Sequence, residues 1–242
     1  MRVKRLMPLL LGLLLLLAAG PLAAGERLET ITTSELVRLL AGPAPFLLIN
    51  SLSPIEFDQV AIQGSVNIPA AHTRLGNPLL PADKDTALIF YCKGMRCSKS
   101  RLAARKAMGL GYRDVRVYME GLPAWQARGL PVEKRVRYPE PVVPRLSPRQ
   151  VYGARGRALI LDIRGEEVRQ LGSVPGGVAI PLDDLDQRFD GLPRDRLIII
   201  VDHAGQQAPI CSSFLNLHGY KDLAILKGGM VAWVRAGLPV TP

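Results

Sequence analysis

The 242-residue chain is predicted to be an α/β protein of two tandem domains, each a doubly wound parallel sheet with helices on both faces. An internal repeat running through most of the chain, short unbroken apolar runs, and amphipathic stretches between them carry that prediction. Unbroken apolar runs suit strands buried on both faces, and amphipathic crossovers between them make the strands parallel.

The repeat is read from landmarks in fixed order. Phe46-Leu47-Leu48-Ile49 matches Ala158-Leu159-Ile160-Leu161, Gly64 to Pro69 matches Gly176 to Pro181, and Ala87 to Tyr91 matches Leu197 to Val201. Glu120 to Val132, with Trp125, matches Gly228 to Val240, with Trp233, at a constant offset of 108 residues. The matched runs are the expected strands; Ser34–Leu40, Ser100–Met108 and Pro209–Leu217 are expected helices. Between the copies, Pro139, Pro141, Pro144 and Pro148 predict a stiff extended linker. The expected organisation is a leader at 1–25, a first domain at 26–136, a linker at 137–147 and a second domain at 148–242.

The leader combines Arg2, Lys4 and Arg5 with an apolar run from Leu6 to Ala19 and small residues at Ala23-Ala24-Gly25, the pattern of a secretory signal. The run is short for a permanent membrane span, so the expectation is a cleaved signal, no membrane anchor, and a periplasmic or secreted product. Basic residues number 31 against 21 acidic, scattered rather than striped with aromatics, which argues against nucleic acid and leaves a general attraction for small anions. Cys92, Cys97 and Cys211 are too few for a disulfide scaffold, and two cysteines without a second pair or nearby histidines do not complete a metal site. No metal and no cofactor are expected.

Cys92 directly follows the apolar run Ala87–Tyr91, at the carboxyl end of a parallel strand where sites of such sheets form. It opens a loop, Lys93-Gly94-Met95-Arg96-Cys97-Ser98, that leads into a helix beginning near Ser98 or Ser100. Unpaired backbone N–H groups at a helix start stabilise a thiolate, and Lys93, Arg96, Lys99 and Arg101 are expected to add positive charge.

At these residues the chain resembles the rhodanese family of sulfurtransferases. The resemblance rests on the Gly-x-x-Asn-Ile-Pro-like segment, the strand ending in Tyr91-Cys92, the Leu110-Gly111-Tyr112 turn, the closing Gly-x-Pro-Ala-Trp, and Asp162-Ile163-Arg164 in the second copy. It implies that Cys92 accepts a sulfane sulfur atom as a persulfide and passes it to a nucleophile, with the Lys93–Ser98 backbone holding the bound anion. The implied partners are a small sulfur-containing anion and a thiol acceptor or reducing partner protein. The loop is longer than the family's usual one and resembles a Cys-x-Gly-x-x-Cys-x-x-Ser subgroup, here Cys92, Gly94, Cys97 and Ser100; Asn50-Ser51-Leu52 stands where the family has Asp-x-Arg.

Two roles stay open for Cys97: shaping the loop, or attacking a Cys92 persulfide to release sulfide and form a disulfide that a reductant must clear. A carrier that loads sulfur without turnover is the non-enzyme alternative. A phosphatase or arsenate reductase needs an arginine six residues after the cysteine, where Ser98 stands. In the second copy Asp202 falls at the cysteine position and Gly205 at the loop glycine, so that copy is expected to support or dock. Cys211 is expected to be buried and inert, and Trp125 and Trp233 to anchor cores. His72 and His203 are expected to be incidental, and Asp183, Asp184 and Asp186 to form a solvated acidic helix start.

Overall fold

A computed structural model describes residues 28–241; the expected signal at 1–25 lies outside them. Among the described residues no helix is long and apolar enough to cross a membrane. The first half runs β1 (Glu29–Ile31), α1 (Thr33–Ala41), β2 (Phe46–Asn50), α2 (Pro54–Gln59), β3 (Ala61–Ile62), β4 (Val66–Asn67), β5 (Ala87–Tyr91), α3 (Lys99–Gly109), β6 (Val115–Tyr118), α4 (Gly121–Ala127) and β7 (Val132–Glu133). The second runs β8 (Arg145–Leu146), α5 (Pro148–Ala154), β9 (Leu159–Asp162), α6 (Glu166–Arg169), β10 (Val178–Ala179), α7 (Leu185–Arg188), β11 (Ile198–Val201), α8 (Ala208–Leu217), β12 (Leu223–Leu226) and α9 (Gly229–Arg235).

Each half forms a five-stranded parallel sheet, ordered β1-β6-β5-β2-β4 in the first and β10-β9-β11-β12-β8 in the second. Alternation along the central strands divides each core in two. On one side of the first sheet Ile49, Leu88 and Phe90 pack under Ala103, Ala104 and Ala107 of α3; on the other, Leu48, Ile89 and Tyr91 pack with Leu36, Leu122 and Trp125. The second sheet repeats this, with Leu161, Ile198 and Ile200 under Cys211, Phe214 and Leu215 of α8, and Ile160, Ile199 and Val201 against Val151, Met230 and Trp233. Side chains of period two thus bury both faces of one sheet, as the unbroken apolar runs predict.

The tryptophans are equivalent core anchors: Trp125 Nε1 donates to the Pro131 carbonyl and Trp233 Nε1 to that of Pro239, each at 2.9 Å. Cys211 is fully buried, and burial pushes its thiol far above the ordinary range, which leaves it inert.

The segment between the halves is tied down at both ends. β7 pairs antiparallel with β3, the Arg135 and Val136 amides donate to the Asp58 carbonyl, Tyr138 packs edge-on against Phe214, and β8 joins the second sheet beside β12. The stretch predicted as a stiff extended linker at 137–147 carries an edge strand of the second sheet, β8. Its prolines keep it extended, as read, but its backbone finds strand partners that composition does not reveal.

The halves also meet face to face. Ile55 of α2, 1% exposed, sits within the core that surrounds α8, so the start of α2 is a plug in the second half. His72 Nε2 lies 2.7 Å from Asp184 Oδ1, and Lys106 Nζ lies 3.1 Å from Glu167 Oε1. His72 and Asp184, expected to be incidental and solvated, are cross-domain partners.

Candidate functional site

β5 is the central strand of the first sheet and delivers Cys92 to its carboxyl end, where the residue is 1% exposed. The loop curls back over the thiol. Gly94 makes this possible: its φ is +88°, and a Cβ there would stand 2.8 Å from the Glu120 carbonyl oxygen. A side chain at Gly121 would likewise collide with the Cys92 carbonyl and the Gly94 amide, and Leu122 N donates to that carbonyl at 2.9 Å. The loop is thus wedged between β5 and the start of α4.

The Cys92 sulfur lies 3.2 Å from Ser100 Oγ and 3.5 Å from the Cys97 carbonyl oxygen. Hydrogen bonding from the Cys97 thiol lowers the Cys92 pKa most; burial opposes it; the Ser100 hydroxyl and the Ser100 and Gly94 backbone groups lower it further, to about 6. Cys92 is therefore largely thiolate at neutral pH, while Cys97, which donates to it and is itself desolvated, is pushed strongly up. Both are free cysteines.

The expected positive charge of the loop is mostly spoken for. Lys93 Nζ lies 2.7 Å from Glu56 Oε1, and Lys99 Nζ lies 2.6 Å from Asp183 Oδ1 and 3.9 Å from Glu56 Oε2. Arg101 donates to the Met95 carbonyl at 3.1 Å, which clamps the loop. Met95, Arg96 and Ser98 are exposed, and Cys97 is half-buried. The thiolate is thus held by short-range hydrogen bonds, and the neighbouring lysines are engaged by carboxylates that the loop sequence does not contain.

Sequence reasoning missed Glu56. It stands at the third position of α2, which Ser53 caps: the Ser53 hydroxyl donates to Glu56 Oε2 at 2.9 Å and the Glu56 amide donates back to Ser53 Oγ. Burial alone would raise its pKa, but the charges of Lys99 and Lys93 and hydrogen bonds from Lys93 and Ser53 outweigh it and hold the carboxyl at about 2. The Ser53-x-x-Glu56 spacing announces a helix start; nothing in it announces two lysines from another loop. Asp183 corrects an expectation: it is 7% exposed and paired with Lys99, where a solvated acidic run was predicted. Gln207 of the second half reaches Glu56 Oε2 with its amide at 3.4 Å. Asp183 and Gln207 of the second half therefore contact Lys99 and Glu56, the ion-paired residues beside the Cys92 loop.

The equivalent loop of the second half shows what this backbone prefers to hold. Asp202 stands where Cys92 does, since Met230 N donates to its carbonyl at 2.9 Å as Leu122 N does to that of Cys92. Its carboxylate is filled by amides of its own loop: Gly205 N at 2.5 Å, Gln207 N at 2.7 Å and Ala208 N at 2.9 Å. The loop is a ring of N–H donors around an anion, and here the chain supplies the anion itself. His203 is exposed, as expected of an incidental loop residue. Asp162 and Arg164 form a buried bidentate pair that also reaches the Gly172 carbonyl, an arrangement that Asn50 and Leu52 cannot reproduce in the first half. Among the described residues no group of three or more His, Cys, Asp or Glu side chains could hold a metal ion.

The family model described as Rhodanese-like domain matches the chain twice, over residues 32–128 and 147–236. A protein named Sulfurtransferase from Allochromatium vinosum is 30% identical over 82 residues, which cover 34% of this chain and 77% of that protein. The solved thiosulfate sulfurtransferase of Pseudomonas aeruginosa aligns over 88% of this chain and 43% of its own, at 24% identity and a TM-score of 0.41. A rhodanese-related protein from Thermoplasma volcanium aligns over 40% of this chain and 97% of its own, at 22% identity and a TM-score of 0.39.

Proposed function

The chain belongs to the rhodanese-like domain family, and on that premise we propose that it is a sulfurtransferase working through Cys92. The observation that carries the reading is a thiolate with a pKa of about 6, held in a loop whose twin in the second half binds a carboxylate with three backbone amides. In the proposed cycle the Cys92 thiolate attacks the outer sulfur of thiosulfate, a polysulfide or a persulfide. The donor's S–S bond breaks, the bonding pair leaves on sulfite or a thiolate, and a Cys92 persulfide remains. A thiol or other nucleophile then attacks the terminal sulfur, and Cys92 leaves as the thiolate it began as. The loop amides of Lys93 to Ser98 stabilise charge on the bound or departing anion. Our reading of residues 1–25 as an export signal supports a periplasmic or exterior setting for the proposed reaction.

The test is turnover. Thiosulfate and polysulfide are offered with cyanide or a small thiol as acceptor. Transfer that Cys92→Ser abolishes and Cys211→Ser leaves intact supports the reading; equal transfer by wild type and Cys92→Ser overturns it. Sulfur loading without turnover would instead mark a carrier.

The loop that brings the Cys97 backbone within 3.5 Å of the Cys92 sulfur, with the Cys97 thiol as the largest cause of the lowered Cys92 pKa, favours a second reading. Cys97 as thiolate attacks the inner sulfur of the Cys92 persulfide, hydrosulfide leaves, and a Cys92–Cys97 disulfide forms. A dithiol partner then supplies two electrons to restore both thiols. Unchanged sulfide release from persulfidated Cys97→Ser protein would remove this role.

A further inference from the structure

We propose that Ser51 belongs to the sulfur site and donates a hydrogen bond to the sulfane sulfur once Cys92 carries it; the inference rests on the persulfide reading above. β2 and β5 run in register with Asn50 beside Tyr91, and Ser51 N donates to the Tyr91 carbonyl at 2.9 Å, so the next pair in register is Ser51 beside Cys92. Ile49 and Phe90 point into the core under α3, whereas Leu48, Ile89 and Tyr91 point into the other. Alternation puts the side chains of Ser51 and Cys92 together on the α3 side, where Ser100 Oγ meets the Cys92 sulfur at 3.2 Å.

Ser51 is 0% exposed and its hydroxyl has no hydrogen-bond partner. An unpaired buried hydroxyl is destabilising, so it calls for a reason, and a ligand absent from the thiol state is one.

The second half supplies an internal control. Asn50 and Asp162 occupy equivalent places: a side-chain oxygen of each accepts from the amide two residues on, at 2.8 and 3.1 Å, and their carbonyls accept from Ile68 and Ile180, both at 3.0 Å. Ser51 therefore corresponds to Ile163, a buried member of an apolar core. At the repeat offset, Ser100 corresponds to Ala208. Hydroxyls flank the strand end in the copy that has a thiol, and aliphatic side chains flank it in the copy that does not.

Loading moves the negative charge from the Cys92 sulfur to a new terminal sulfur. No oxidant is needed, because the donor's S–S bond is exchanged for the new one and sulfite departs with the electron pair. Ser100 already engages the inner sulfur, and Ser51 is the uncommitted donor beside it. It therefore acts on the loaded state and leaves the thiolate as it was.

The experiment uses the full chain with Ser51→Ala, and Ser51→Thr against the isosteric Ser51→Val to isolate the hydroxyl. Each protein is loaded with thiosulfate and titrated with sulfite, the loaded fraction being read by intact mass. The expected result is discharge of Ser51→Ala and Ser51→Val at about tenfold lower sulfite than wild type, the scale of a hydrogen bond to a charged group. Ser51→Thr restores the wild-type titration, and ultraviolet titration of the Cys92 thiolate is the same in all. An unchanged sulfite titration in Ser51→Val, or a thiolate titration that moves with it, overturns the proposal. Wild type that takes sulfur from neither thiosulfate nor polysulfide overturns the persulfide reading itself, which is scored before the variants are compared.

Discussion

Replacing Cys97 with alanine tests what holds Cys92 as a thiolate. Hydrogen bonding from the Cys97 thiol is the largest influence lowering the Cys92 pKa to about 6, ahead of Ser100 and the loop backbone. A hydrogen bond to a charged group contributes about 1.5–3 kcal/mol, and one pKa unit is about 1.4 kcal/mol, so its loss should raise Cys92 by about one to two units. At pH 7 the thiolate fraction then falls from about nine-tenths to between about half and a tenth. The assay is the rate of iodoacetamide alkylation against pH, followed on the Cys92 peptide. Wild type should show reactivity rising through pH 6 as the first proton leaves the thiol pair, with a plateau above it. Cys97→Ala should carry the same rise at about pH 7 to 8. Cys97→Ser, which keeps a donor, should fall between. A Cys97→Ala profile with its midpoint still near pH 6 would refute the reasoning and leave the loop amides and Ser100 as the stabilising groups.

Three further outcomes follow from the same geometry. Glu56→Gln should destabilise the protein by about 3 kcal/mol in urea titrations at pH 7, because Lys93 and Lys99 lose a buried carboxylate. A folded-state pKa of about 2 against an ordinary 4.5 gives Glu56 stability that is complete above pH 4.5 and lost as pH falls toward 2, so the deficit of the variant should shrink at pH 3. Gly94→Ala, whose methyl would meet the Glu120 carbonyl, should cost about 1–3 kcal/mol and, by misplacing Cys92, lower sulfur transfer by about a hundredfold in steady-state assays. Ile55→Ala should remove about 2–4 kcal/mol from the second half, although the residue belongs to the first; a calorimetric transition of the second half that does not move would contradict the plug.

Much of this molecule was legible in its sequence because the relevant signals are local or repeated. Unbroken runs such as Leu88–Tyr91 and Ile198–Val201 declare strands buried on both faces, and their repetition with Trp125 and Trp233 fixes two equivalent domains. The position of Cys92 at the end of β5 was legible because a strand and a helix start bracket it. The electrostatics were not. A lysine reads as positive charge wherever it stands, and only the fold brings Glu56 to Lys93 across 37 residues and Asp183 to Lys99 across 84. His72 and Asp184, 112 residues apart, looked incidental for the same reason. Ser51 is silent in sequence, since its meaning lies in its register with Cys92 and in the isoleucine that replaces it in the second copy. The extended segment after β7 misled in the other direction: prolines describe its conformation but not the strands its ends join.

The most direct test of the central claim is the mass of the Cys92 peptide after the purified protein has met thiosulfate and, separately, polysulfide. The account predicts a peptide one sulfur atom heavier at Cys92 and unmodified Cys211, with the added sulfur removed by cyanide or a thiol. A Cys92 peptide of unchanged mass with both donors would contradict it.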